Sequence, residues 1–494
     1  MDDVSDTTYW FAHDLGKPIP DSEHAVSVCL PLWKHNVAYE EGEQDVVEKM
    51  RCGYPRFFLH PNVCRLFEQC ERRFAQPGER CFAFPSKRVA ERCLDFVAQH
   101  TGHAGTIHDF DKLGLFAVCL PGEATATAKS FWQHTGDIVS SRLARVALEP
   151  TERPEASAST IQHLRERVAG LTGGRADDVF LFPTGMAAVS CAFRALSVLR
   201  PEQKSVQFGF PYVDTLKLLQ QVGPGVHFFP RGSEDELDDL AALLRTEKIS
   251  ALFCEVPGNP LLNSPDLVQL RALANRHDFP IVVDDTLGAF INLKPLPAAD
   301  IVVSSLTKFF SGQGNVMGGS LVLNPNGPFY ERLKSIFGEE YEDLLFSQDA
   351  EVLERNSHDV ETRVKQINRT TERLCDMLSN HRAVRRVDYP KYRTPENYRA
   401  FLQPGGGFGG LFSVQLENAA EAAPRFYDAL RICKGPNLGT NFSLCCPFTI
   451  LAHYEELDFV ESCGISRYLL RFSVGLEDAE VLLQEFTRAL DVLS

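Results

Sequence analysis

A carboxylate and a lysine follow two short apolar runs in the middle of the chain, and their side chains could act on one ligand. The runs at 281–283 and 301–303 are rich in isoleucine and valine and end in polar residues, which is typical of buried strands. Asp284 follows the first run, and the segment 304–308 (SSLTK) follows the second. Because the carboxyl ends of neighbouring strands meet at one crevice of an open α/β sheet, we expect Asp284 and Lys308 to face each other there.

This pair favours the chemistry of pyridoxal phosphate (PLP). A PLP enzyme needs a lysine that forms a Schiff base with the cofactor, and an acid that keeps the pyridine nitrogen protonated so that the ring accepts electrons. The hydroxyls of Ser305 and Thr307 could bind the cofactor phosphate. An isolated aspartate and lysine more often cap a strand end and lie in solvent, so the other segments of the chain must decide.

A second segment has the features of a phosphate cradle. The apolar run 179–182 (VFLF) is followed by Thr184-Gly185-Met186 and then by a helical pattern. The first N–H groups of a helix lie at the positive end of its dipole, and glycine lets the backbone approach an anion closely. We therefore expect Gly185 and Met186 to bind phosphate.

These segments resemble motifs of the Cys/Met-metabolism family of PLP-dependent enzymes. The segment 283–286 (VDDT) is similar to the family's V-D-N-T, and 305–308 (SLTK) is similar to S-x-T-K. The resemblance implies that Asp284 pairs with the pyridine nitrogen, that Lys308 forms the Schiff base, and that the helix start at 184–188 matches the family's phosphate-binding S-G-M-A-A. One departure is Asp285, which stands where the family usually has asparagine.

Three further residues are assigned roles by the same resemblance. Tyr212 would stack on the pyridine ring and take part in proton transfer. Asn259, in the segment 253–260 (FCEVPGNP), would bond to the ring hydroxyl. Arg471 lies in YLLRFSVGLED and would bind the substrate α-carboxylate with a bidentate pair. An arginine within such an apolar run needs an anionic partner, which favours this role.

Two further positions depart from the family pattern. Asn437 replaces a serine in the loop that lines the substrate pocket. In the family a Tyr-x-Arg near 140–142 reaches across a dimer interface to the partner's cofactor phosphate, but here Ser140 replaces the tyrosine. Arg142 alone therefore carries over to the cofactor phosphate, and an ordinary surface arginine is an equal alternative.

The resemblance also implies the fold and the domain organisation. We expect an α/β protein of PLP-dependent transferase fold type I, with a mostly parallel sheet. We assign residues 1–135 to an α/β N-terminal extension, 136–340 to the PLP-binding domain and 341–494 to a smaller α+β C-terminal domain. The extension is similar to that of fungal cystathionine γ-synthases. We expect it to be an added layer around the core, although an oligomer contact or a regulatory module is the alternative.

The composition excludes several other classes of function. The chain has 494 residues and a net charge of −16, which argues against nucleic acid and anionic membranes as partners. Its acidic N-terminus lacks the pattern of a signal peptide, no transmembrane helix is expected, and the 14 cysteines form no C-x-x-C pair. We therefore expect a cytoplasmic protein with reduced thiols and no metal site.

The resulting functional prediction is γ-replacement on an O-acylhomoserine, an amino-acid substrate. With cysteine as nucleophile the product is cystathionine, which is the activity of cystathionine γ-synthase and our first choice. The alternatives are γ-replacement with sulfide or a carbon nucleophile, and a non-catalytic paralogue that acts as a binding subunit. The resemblance also implies a homodimer or homotetramer with shared active sites.

Overall fold

The computed structural model describes residues 9–110, 113–149 and 158–493, and these ranges contain three β-sheets. The N-terminal sheet is antiparallel in the order β1-β3-β2. Its strands are β1 (Glu79–Phe84), β2 (Thr106–Asp109) and β3 (Phe116–Pro121). The helices of this part are α1 (Trp33–Glu40), α2 (Gln44–Val47), α3 (Pro61–Phe74), α4 (Lys87–Thr101), α5 (Thr125–Thr135) and α6 (Ser141–Leu148).

The central sheet of the described residues has the strand order β4-β10-β9-β8-β7-β5-β6. Its strands are β4 (Val179–Phe182), β5 (Ser205–Phe208), β6 (Val226–Phe229), β7 (Leu252–Glu255), β8 (Ile281–Asp284), β9 (Ile301–Ser305) and β10 (Gly319–Leu323). The helices that accompany it are α7 (Ala158–Thr172), α8 (Gly185–Leu199), α9 (Val213–Gln221), α10 (Glu234–Leu243), α11 (Leu267–His277) and α12 (Tyr330–Glu340). β10 runs antiparallel to both of its neighbours, whereas the pairs from β9 to β6 are parallel.

The register of this sheet positions the polar residues that follow its apolar strands. Residues 281–283 and 301–303 are fully buried, as expected of strands covered on both faces. Glu255 of β7 lies opposite Asp284 of β8, and β8 pairs in parallel with β9. The carboxyl ends of these three strands therefore lie together, which confirms the arrangement expected from the two apolar runs.

The C-terminal sheet of the described residues has the order β11-β12-β15-β14-β13. Its strands are β11 (Val384–Asp388), β12 (Leu411–Leu416), β13 (Cys433–Lys434), β14 (Leu444–Pro447) and β15 (Leu470–Ser473). Its helices are α13 (Ser347–Asn356), α14 (Val360–Ser379), α15 (Pro395–Arg399), α16 (Ala419–Ala429), α17 (Phe448–His453), α18 (Leu457–Ser462) and α19 (Ala479–Asp491). The α/β class with a mostly parallel central sheet is confirmed, and the exact domain boundaries stay a prediction.

One expectation about the cysteines is wrong. Cys81 of β1 and Cys119 of β3 lie opposite each other in the sheet register and form a disulfide. Most of the other described cysteines are buried. Across the described ranges, no helix has the length and apolar character needed to cross a membrane.

Candidate active site

A cavity of about 470 Å³ opens at the carboxyl ends of the central strands. Its walls come from the N-terminal extension, the central sheet and the C-terminal part of the chain. A volume of this size is in the range of small-molecule sites, which usually combine apolar walls with a few convergent polar groups. The cavity therefore is a candidate active site.

The start of α8 forms one end of this cavity. The Thr184 hydroxyl accepts a hydrogen bond from the Ala187 N–H at 3.0 Å and donates one to the Gly136 carbonyl at 2.9 Å. The N–H groups of Gly185 and Met186 come before the first i→i−4 bond of the helix and have no intrahelical acceptor. Both residues line the cavity, so this helix terminus presents free donors to an anion.

Two partly buried carboxyl groups lie side by side in the sheet, on Glu255 and Asp284. Asp284 Oδ1 accepts a hydrogen bond from the Thr286 N–H at 2.8 Å, and Glu255 accepts bonds from the N–H groups of Tyr212 at 2.6 Å and Asn259 at 3.1 Å. Burial, followed by the charge of Asp284, raises the pKa of Glu255 to about 8, and burial also raises the pKa of Asp284. A cationic group placed beside the two carboxyl groups would therefore be stabilised.

Lys308 lies at the centre of the cavity wall. Its Nζ donates to Asn437 Oδ1 at 2.5 Å and lies 4.1 Å from the centroid of the Tyr54 ring. Burial lowers the pKa of Lys308, although Tyr54 opposes this shift. A lysine with a lowered pKa is a better nucleophile and a better base at neutral pH than an exposed one.

A buried arginine fixes the tyrosine on the adjoining wall. Tyr212 lies at the start of α9, and its hydroxyl accepts a hydrogen bond from the Arg56 guanidinium. Arg56 also donates to Asp214, which is bonded in turn to His134 at 2.8 Å. Burial would raise the pKa of Asp214, but the Arg56 charge together with the contacts of His134 and Gln133 keeps that pKa below its ordinary value. The ring of Tyr212 is therefore held by a charged network behind it.

Arg471 provides a cationic group on the opposite wall. It lies on β15 and is only 6% exposed. Its guanidinium donates to Asn259 Oδ1 at 3.3 Å and to the carbonyls of Pro436 and Asn437 at 3.2 and 3.3 Å. In the described ranges these partners are all neutral oxygens, so a buried guanidinium without a carboxylate faces the cavity.

The structure brings most of the predicted site residues together. The cavity wall includes Gly185, Met186, Tyr212, Asn259, Asp284, Ser305, Lys308 and Arg471. Asn437 contacts Lys308 directly, whereas the departure at Asp285 points elsewhere. Asp285 is buried, and its Oδ2 accepts a hydrogen bond from the Phe290 N–H at 3.2 Å.

Two predicted cofactor residues, Thr307 and Arg142, are not among the residues that line this cavity, and their roles stay predictions. The Thr307 hydroxyl is buried and bonded to the backbone of Gly318. Arg142 donates to Asp349 Oδ1 at 3.0 Å and to the Asn315 carbonyl at 2.9 Å. The shared-site homodimer or homotetramer stays a prediction.

The residues that the sequence analysis missed come from the N-terminal extension. Tyr54 and Arg56, from the irregular segment between α2 and α3, line the cavity beside Lys308 and Tyr212. The expectation that the extension is only an added layer is therefore wrong. A signal was present in the sequence, because the Tyr-x-Arg pattern sought at 140–142 occurs at 54–56 and again at 330–332.

Comparison with known proteins places the chain among PLP enzymes. Residues 155–491 match the family described as Cys/Met metabolism PLP-dependent enzyme, and residues 62–140 match the fungal trans-sulfuration enzyme N-terminal domain. Cystathionine gamma-synthase-like enzyme iboG1 of Amanita muscaria is 40% identical, over 96% of this chain and 97% of the relative. Cystathionine gamma-synthase of Neurospora crassa is 37% identical over 97% of this chain and 98% of the relative.

Two other comparisons concern a relative with a different named activity and a solved structure. A protein named alanine racemase, from Aspergillus violaceofuscus, is 33% identical over 97% of this chain and 96% of its own length. The crystal structure of cystathionine gamma synthase from Xanthomonas oryzae, in complex with aminoacrylate and cysteine, matches with a TM-score of 0.60 and 26% identity. That match covers 68% of this chain and 86% of the solved chain.

Proposed function

The chain belongs to the Cys/Met metabolism family of PLP-dependent enzymes, and we propose that it catalyses γ-replacement on an O-acylhomoserine with cysteine as the nucleophile. One observation carries this proposal. Lys308, the Asp284–Glu255 carboxyl pair and the uncompensated guanidinium of Arg471 converge on one cavity. That arrangement suits an amino acid whose carboxylate is clamped while a lysine moves its protons. The product of the proposed reaction is cystathionine.

The residues of the cavity fit PLP. When bound, PLP supplies an electron sink that acidifies the C–H bonds of an attached amino acid. We assign the phosphate to the free N–H groups of Gly185 and Met186 and to the hydroxyl of Ser305. Burial and the charge of Asp284 raise the pKa of Glu255, so a cation beside the two carboxyl groups would be stabilised, and we assign the protonated ring nitrogen to Asp284.

The remaining residues of the cavity would orient the ring and the substrate. We assign Tyr212 to one face of the ring and Asn259 to its hydroxyl group. Arg471 would exchange its neutral oxygen partners for the substrate carboxylate. Lys308, held by Asn437 Oδ1, would remove a proton from the substrate and return it at another carbon.

The similarity to proteins named cystathionine gamma-synthase supports the choice of γ-replacement over other PLP reactions. It extends over nearly the whole chain, including the part that matches the fungal trans-sulfuration N-terminal domain. A non-catalytic binding subunit is not proposed, because the family is enzymatic and Lys308, Asp284 and Arg471 all line the cavity.

One observation favours a second candidate, which is γ-replacement with a different nucleophile such as sulfide or a carbon nucleophile. Asn437 replaces the family's usual serine, and its carboxamide is bonded directly to Lys308. A change in the partner of the catalytic lysine alters where protons are delivered. It could therefore alter which nucleophile completes the reaction.

The decisive experiment follows the products of O-acetylhomoserine by mass spectrometry. The purified holoenzyme is incubated with O-acetylhomoserine alone and then, in separate reactions, with O-acetylhomoserine plus cysteine, plus sulfide or plus a carbon nucleophile. We expect acetate release and cystathionine formation when cysteine is present. Acetate release that requires another nucleophile would establish the second candidate. Racemisation of alanine without any release of acetate would contradict both candidates.

Replacement of Gly185 by alanine should weaken PLP binding by about 10- to 100-fold, the cost of one or two charge-assisted hydrogen bonds. An added Cβ would lie 2.7 Å from Ser305 Cβ, so the helix terminus and the serine would move apart. Titration of the apoprotein with PLP, followed by absorbance, measures the change.

The matched control is Gly170→Ala. Gly170 lies within α7, and an added Cβ meets nothing within 4 Å in the described residues. This change should leave PLP affinity unaltered and raise the free energy of unfolding by about 0.5–1 kcal/mol. Equal PLP affinities of the Gly185 variant and the wild type would show that the start of α8 does not bind the cofactor phosphate.

Replacement of Asp284 by asparagine should reduce kcat by about 10²-fold while PLP stays bound, because the site loses the charge that holds the ring nitrogen protonated. The adjacent Asp285 supplies the control. Asp285 is not among the residues that line the cavity, and burial raises its pKa well above the ordinary value, which disfavours its charged form. The kcat values of the two variants, measured by steady-state kinetics, should therefore differ by about two orders of magnitude. Similar kcat values would refute the assignment of Asp284 to the ring nitrogen.

A further inference from the structure

A tyrosine of the N-terminal extension lies against the amine of Lys308. Tyr54 belongs to the irregular segment between α2 and α3, and the centroid of its ring is 4.1 Å from Lys308 Nζ. Arg56, two residues later, is 2% exposed, and its guanidinium carbon is 5.5 Å from the same ring. The extension therefore places an aromatic hydroxyl and a buried cation at the group that moves protons.

The two tyrosines of the cavity have opposite electrostatic surroundings. Burial raises the pKa of Tyr212 well above its ordinary value; Arg56 opposes this shift, and Asp214 and Tyr54 add to it. Burial would also raise the pKa of Tyr54, but the cations Lys308 and Arg56 outweigh it and lower that pKa. The cations beside Tyr54 therefore make its hydroxyl a better proton donor than the hydroxyl of Tyr212.

We propose that Tyr54 is a catalytic residue that exchanges a proton with Lys308, and that Arg56 is the positioning residue that holds Tyr54 and Tyr212 in place. In one direction the phenol O–H bond breaks and an N–H bond forms on Lys308, which leaves a phenolate beside an ammonium group. The reverse step returns the proton. This inference rests on the proposed role of Lys308 as the base, but it does not depend on the identity of the nucleophile.

The charged and titratable groups around this pair fix the direction of its pH dependence. Tyr54 is faced by Arg56 from the extension, by Lys308 from the segment after β9, and by Tyr212 from the start of α9. Arg471 of β15 also acts on Lys308 and lowers its pKa, whereas Tyr54 raises it. Removal of the Tyr54 hydroxyl should therefore lower the pKa of the nitrogen at position 308.

The test uses the holoenzyme and its Tyr54→Phe variant, which keeps the ring and removes only the hydroxyl. The first measurement is the pH midpoint of the visible absorbance of bound PLP, which should fall by about one pH unit in the variant. The second measurement is the rate at which the Cα hydrogen of L-norvaline exchanges with deuterium oxide. L-norvaline has no leaving group, so this readout reports proton transfer alone. The exchange rate should fall by about 10²-fold at an unchanged norvaline KM.

The control is Tyr330→Phe, which alters the other Tyr-x-Arg segment. Tyr330 donates a hydrogen bond to Asp178 and is absent from the cavity wall. This variant should keep the wild-type midpoint and exchange rate. A Tyr54→Phe enzyme with the wild-type midpoint would overturn the proposal, as would a loss of PLP affinity without a change in either readout. Neither measurement uses an acyl group or a second substrate, so a failure of the γ-replacement assignment would be seen separately.

Discussion

The Lys308→Ala enzyme should lose the visible absorbance of covalently attached PLP and at least about 10⁴-fold of its turnover. Position 308 combines two roles, because its amine attaches the cofactor and then moves protons on the substrate. The substitution also leaves Asn437 Oδ1 without its 2.5 Å partner. Spectroscopy of the purified variant after incubation with PLP, together with product analysis, measures both losses.

A second lysine shows whether the effect is specific. Lys365 is partly exposed on α14 and pairs with the exposed Glu361. Its replacement by alanine should leave the absorbance and the turnover within twofold of the wild type, since an exposed pair of this kind contributes well under about 1 kcal/mol. A Lys308→Ala protein that keeps both its circular dichroism and the visible band would show that another amine holds the cofactor.

The residues that could be predicted from the sequence are those placed by the ends of regular elements. Asp284 ends β8, and Lys308 follows β9 by three residues. The alternation of buried strands and helices fixes the edge of the sheet at which both residues lie. Gly185 was found for the same reason, since it begins α8 directly after β4.

The residues that could not be predicted depend on irregular segments or on distant partners. Arg142 lies on α6, and its guanidinium is bonded to Asp349, which is 207 residues away in the sequence. The direction of the Thr307 hydroxyl is fixed by its hydrogen bond to the Gly318 carbonyl, and Gly318 directly precedes β10. Neither contact leaves a periodic pattern in the sequence.

The contribution of the extension was hidden for a different reason. Tyr54 and Arg56 lie in a stretch without helix or strand, so only their spacing could identify them. The fold then buries Arg56 between Asp214 and Tyr212, more than 150 residues further along the chain. The family motifs quoted from the sequence lie between residues 140 and 478, outside the segment that contains Tyr54 and Arg56.

Replacement of Arg471 by alanine should lower kcat/KM for the amino-acid substrate by about 10³-fold, mostly through KM. This corresponds to about 4 kcal/mol, within the range for the loss of one partner of a buried charged pair. Arg471→Lys should recover only part of this loss, since an ammonium keeps the charge but not the planar fork that binds both carboxylate oxygens. Steady-state kinetics of the three enzymes test the order wild type, lysine, alanine.

Ligand binding separates a carboxylate clamp from a purely structural arginine. Wild-type holoenzyme should bind L-norvaline more tightly than butylamine, which is the same molecule without its carboxylate, and Arg471→Ala should abolish that preference. Arg467 supplies the control, because it lies four residues earlier and pairs with Asp458 at 2.8 Å and Glu461 at 2.7 Å. Arg467→Ala should keep the preference. If Arg471→Ala weakened both ligands equally, the guanidinium would serve only to pack against Asn259 and the Asn437 loop, and the carboxylate would need another partner.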